Sequence, residues 1–83
     1  MNKLETLKTN HTARVDEVAG YQLNIENFVR AIDKIDQQYA DNPAMQDFRS
    51  RLTTLLEENR VEQLKAIIIR DVLADQIAEL EVS

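Results

Sequence analysis

The chain has no cysteine and no tryptophan, and only one glycine, one proline and one histidine. Without cysteine there is no disulfide staple and no thiolate metal site, and the redox compartment is left open. A single histidine, His11, rules out histidine-rich metal spacing, and a single glycine leaves no glycine-rich loop to cradle a phosphate. The longest purely apolar run is "AIII", residues 66–69, far short of the roughly 20 residues a membrane-spanning helix needs. The first residues, "MNKLETLKTNH", lack the apolar core of a secretory signal, so a soluble, cytoplasmic protein is expected. No serine or cysteine nucleophile stands with a partner base, and no cofactor or metal is expected; the inventory points away from an enzyme.

What is present is charge and periodicity. Eighty-three residues make one domain, and the net charge of −5 argues against a nucleic-acid backbone as the main partner. Residues 1–40 carry 5 basic and 6 acidic side chains and residues 41–83 carry 5 and 9, which concentrates the acidity in the second half.

The one strong breaker is "YADNPAMQDF". Asp41 or Asn42 can accept from the first free amides of a following helix, and Pro43 suits its first turn because its missing N–H would be unpaired there anyway. Before the break, Leu4, His11, Val18, Ile25, Ile32 and Tyr39 recur by sevens, with Leu7, Arg14, Tyr21, Phe28 and Ile35 as a second track. After it the tracks are Met45, Leu52, Asn59, Ala66, Leu73, Leu80 and Phe48, Leu55, Glu62, Ile69, Gln76. If the chain folds back at 41–43, opposed positions have residue numbers that sum to 83 or 84, in phase with both chain ends. The expected fold is therefore all-α: an antiparallel, coiled-coil-like hairpin with helices over about 3–40 and 44–81, completing a bundle by dimerisation. The polar stretch "EENRVEQ" leaves one alternative, a three-helix bundle with a break near 57–61.

The adjacent Ile67, Ile68 and Ile69 span about 200° of a helix surface, more than one seam can cover. Ala66, Ile69, Leu73, Ile77 and Leu80 are assigned to the seam, which leaves Val61, Leu64, Ile68 and Val72 as a second apolar stripe about a third of a turn away. That stripe is the candidate surface for self-association or for another protein. Asp71, Asp75 and Glu79 follow it at four-residue spacing, and no lysine or arginine comes after Arg70. Like charges at this spacing, near a helix C-terminus, are intrinsically unfavourable, so the stripe and the acids together are the candidate contact for a basic partner. Tyr21, Glu62 and Arg14 are expected to form a polar cluster that sets the register of the seam.

The turn "AIDKIDQQYADNPAMQDFRSRL" followed by "AIIIRDVL" resembles the type III secretion needle subunits and the small helical co-chaperones that hold them. The resemblance covers the middle half of the chain and implies a self-assembling or chaperone-bound hairpin. Needle subunits end in an apolar segment, whereas this chain ends "AELEVS", and no functional residue carries over. Two other readings share the architecture: a small inhibitor of the kind encoded by phages and mobile elements, binding a host enzyme or nucleic-acid-binding complex through the acidic-apolar face, and an RNA-binding hairpin dimer. The last needs a basic face, and Lys3, Lys8, Arg14, Arg30 and Lys34 are scattered. The reading favoured is a non-enzymatic, dimeric protein-interaction module.

Overall fold

The computed structural model describes residues 2–82, which form two helices, α1 (Lys3–Gln38) and α2 (Pro43–Val82), folded back on each other. The resulting rod measures 62 × 19 × 14 Å. Among the described residues there is no strand, and no helix is long and apolar enough to cross a membrane.

Each helix starts on an asparagine. Asn2 Oδ1 accepts from the Glu5 amide at 2.8 Å, and Asn42 Oδ1 accepts from the Met45 amide at 3.2 Å, so each cap satisfies an amide that the helix itself leaves free. Between them the chain reverses over residues 39–42, beginning two residues and ending one residue before the expected 41–43. Tyr39 leaves helical geometry at φ −136° and ψ 27°, yet its amide still donates to the Ile35 carbonyl. The Gln46 side chain then reaches back and donates to the carbonyls of Tyr39 and Ala40, acceptors that the end of α1 would otherwise leave to water.

Residues 9–12, a run of poor helix formers, Gly20 and the polar stretch 57–63 do not interrupt the helices. Thr9 and Thr12 donate their hydroxyls to the carbonyls of Glu5 and Lys8, one turn earlier, which shields polar side chains within the helix. Gly20 lies in open space on α1. Residues 57–63 are helical throughout, so α2 is continuous and the break near 57–61 does not form.

The fold-back register matches the sequence pattern. Asn24 meets Asn59, Gln22 meets Gln63 and Asp36 meets Arg49, so a residue of α2 lies level with the α1 residue whose number complements it to about 84. On α1 both expected tracks face the partner helix, with Leu7, Ile25 and Ile35 buried. On α2 only the first track does. Leu52 and Ala66 are buried, but the companion positions are Arg49, Leu56, Gln63, Arg70 and Ile77, one residue beyond the expected Phe48, Leu55, Glu62, Ile69 and Gln76. Polar bonds across the hairpin accompany this rotation. Arg49 donates to both oxygens of Asp36, at 2.7 and 3.1 Å, and Gln63 donates to the Val18 carbonyl and to Gln22 Oε1. Turning α2 back by one position would trade the burial of Leu56 and Ile77 for that of Phe48, Leu55 and Ile69, and would swing Arg49 and Gln63 away from their partners.

The Asp36–Arg49 fork also makes one pH effect predictable. The Arg49 guanidinium holds the Asp36 carboxyl below its ordinary value, mainly through the hydrogen bonds. A depressed carboxyl contributes stability above its unfolded pKa and loses it as pH falls through the folded one. Asp36→Asn therefore lowers the melting temperature slightly at neutral pH, and thermal melts of the two proteins should converge in acid. A gap that persists at low pH would show that the fork is not responsible.

An outward-facing stripe on the second helix

The six buried apolar side chains are Leu7, Ile25, Ile35, Leu52, Leu56 and Ala66, and none of the described side chains is completely buried. The accessible surface is 5973 Å². A compact monomer of this mass exposes about 5,100 Å², so the rod carries an excess of about 900 Å². Two groups of exposed apolar residues stand out on α2.

The first is the expected stripe. Val61, Leu64, Ile68 and Val72 are 49, 59, 61 and 46 % exposed. Because the seam is rotated one residue toward Arg49 and Leu56, Val61 and Ile68 project about half a turn from α1 at 100° per residue, not the expected third. The stripe thus faces directly away from the partner helix. The isoleucine run resolves accordingly: Ile67 is half-buried against the edge of the seam, Ile68 points outward and Ile69 opens to the side.

Acidic residues bracket this stripe. Glu57 and Glu58 precede it, and Asp71, Asp75 and Glu79 follow. Glu57 pairs with Arg60 at 2.9 Å and Asp71 with Arg70 at 3.0 Å, whereas Glu58, Asp75 and Glu79 have no ion-pair partner among the described residues. Residues 57–82 hold seven acidic and three basic side chains, a net −4 of the chain's −5.

The second group, Phe48, Leu55 and Ile69, is 42, 41 and 49 % exposed and lies on the flank of the hairpin. A cavity of about 290 Å³ bounded by Asn10, Arg14, Ile69 and Leu73 places this row on the α1 side that also carries Arg14.

The expected Arg14, Tyr21 and Glu62 cluster is not assembled within one chain. Arg14 pairs with Glu17 at 3.1 Å, Glu62 is exposed and pairs with Lys65 at 3.0 Å, and Tyr21 is half-buried in the seam. The polar contacts across the middle of the seam come from Asn24 with Asn59 and from Gln63 with Val18 and Gln22. Asn59 falls on the seam in the heptad pattern; Gln63 is missed because the second track is phased one residue early. His11 is half-buried on the seam as its position implies. Among the described residues no group of three or more histidine, aspartate or glutamate side chains is arranged to hold a metal ion.

The fold and this surface define an antiparallel helical hairpin with an unpartnered apolar face. No family model matches the chain, and neither the curated proteins nor the solved structures compared with it give a match.

Proposed function

We infer that the protein is a non-enzymatic interaction module, acting in the cytoplasm, whose outer α2 stripe docks a basic, partly apolar segment of another protein. One observation carries this reading: a continuous apolar stripe, turned directly away from the only helix that could cover it, with acids at both ends. Val61, Leu64, Ile68 and Val72 have the three- and four-residue spacing that lays one amphipathic helix along another. Glu58, Asp75 and Glu79 would meet lysines or arginines on the partner and set its orientation. The same charges oppose packing this stripe against its own counterpart in a second copy, which would bring another net −4 segment alongside.

Fluorescence anisotropy with a labelled synthetic amphipathic helix of leucine and lysine tests the reading, with the corresponding leucine–glutamate peptide as control. The lysine peptide should bind saturably and the glutamate peptide should not. Ile68→Asp should weaken binding by about 30-fold or more, as for a central apolar anchor. Asp75→Lys with Glu79→Lys should weaken it further at low salt and flatten its salt dependence. Binding that is indifferent to Ile68→Asp would mean that the peptide adheres to acid alone, and the stripe would lose its assigned role.

A further inference from the structure

The outward stripe of α2 changes character along its length. Val61, Ile68 and Asp75 stand seven apart on one line of the helix, Leu64 and Asp71 on a second, and Val72 and Glu79 on a third. Seven residues fall only about 20° short of two full turns, so each line stays on one side of the helix. On all three lines an exposed apolar side chain is followed, one heptad on, by an exposed acid. The charge is correspondingly lopsided. Residues 57–65 hold three acids and two bases, a net −1, whereas residues 66–82 hold four acids and one base, a net −3. Ion pairs take up Glu57 and Glu62 in the first part and Asp71 and Glu81 in the second. Among the described residues this leaves Glu58 unpaired at one end, and Asp75 and Glu79 together at the other. No basic residue stands in the last turn of α2, so the negative pole of the helix adds to that second pair.

We propose that the segment docked on this stripe is a bipartite helix, with about three turns of apolar face over residues 61–72 and, at one end, about two turns of basic face over residues 71–79. This rests on the docking role inferred above and specifies the partner for it. Glu58 accepts a single basic residue at the far end, which sets the length at about 22 residues, or about 33 Å. Asp71, Asp75 and Glu79 repel one another at four-residue spacing, and a cationic face laid over them removes that cost. A helix with its lysines spread evenly along the apolar face meets the same surface less well. It sets cations beside Arg60 and Lys65, where the acids are already paired, and brings fewer to Asp75 and Glu79.

Fluorescence anisotropy on the full chain, with two labelled peptides of the same leucine and lysine content, tests this. One groups its lysines as described; the other spaces them evenly along the apolar face. The grouped peptide should bind at least about fivefold tighter at low salt, the scale of two exposed ion pairs. Asp75→Lys with Glu79→Lys should weaken the grouped peptide by about 10-fold or more and remove its advantage, whereas Glu58→Lys should cost it less than about threefold. Both substitutions in the paired variant put a cation near a helix C-terminus, where it is favourable, so the fold is kept, and circular dichroism checks this. Equal affinities for the two peptides, or a Glu58→Lys loss as large as that of the paired variant, would overturn the bipartite arrangement; if binding still depends on Ile68, the docking role stands without it. Binding of neither peptide would remove the docking role and this proposal together.

Discussion

Leu52→Ala should unfold much of the population at temperatures the unaltered chain withstands. Leu52 is one of six buried apolar side chains, and it sits near the turn, where Ile35 of α1 is also buried. Truncating a buried leucine costs about 3 kcal/mol through lost transfer energy and the cavity left behind. A small helical domain has only a few kcal/mol in reserve, so this is a large fraction of the total. The urea midpoint, followed by far-ultraviolet circular dichroism, should fall by about 2–3 M at a slope of about 1 kcal/mol per molar. Leu64→Ala, on the outward stripe, should change the same midpoint by less than about 0.5 M. Equal effects at the two sites would mean that α2 is rotated differently from the geometry described above.

The second large effect runs the other way. Replacing both Asn59 and Gln63 with leucine should raise the melting temperature by about 10 °C, since each adds apolar burial to the seam and a gain of about 1 kcal/mol corresponds to roughly 4–8 °C in a domain of this size. The cost is uniqueness. Asn24–Asn59 and Gln63 with Val18 and Gln22 are the cross-helix bonds near mid-rod, and removing them leaves a heptad seam free to slip or to recruit extra copies. Thermal melts should therefore sharpen upward while light scattering shows a broader set of masses. A stabilised protein with an unchanged single mass would show that the register is set elsewhere, with the Asp36–Arg49 fork the next place to look.

Much of this architecture is legible in the residues themselves. Pro43 after Asn42, with heptads on both sides in phase with the ends, is enough to give the hairpin and its register, because one turn and two seven-residue repeats leave few other ways to bury the apolar positions. The rotation of α2 is not legible by the same logic. Counting apolar residues narrowly favours Phe48, Leu55, Glu62, Ile69 and Gln76 over Arg49, Leu56, Gln63, Arg70 and Ile77 as the inner track, three to two, and the adopted phase instead sets Arg49 and Gln63 where they bond across the hairpin. Those bonds depend on which α1 residues stand opposite, knowledge that single-helix periodicity does not contain. The stripe Val61, Leu64, Ile68, Val72 could be read directly, since three adjacent isoleucines exceed what one seam can cover. Its angle from the seam could not, because it inherits the one-residue phase error. The heptad pattern places Glu62 on the seam for the same reason, and in the folded chain it is on the surface beside Lys65.

The central claim is that the outward α2 stripe of this hairpin docks a basic segment of another protein. Size-exclusion chromatography with light scattering, run with and without the leucine–lysine peptide, tests it directly. The account predicts that the protein takes up about one peptide per 9.6 kDa chain, with a matching rise in mass. A mass unchanged by the peptide, with the peptide eluting free, would contradict it.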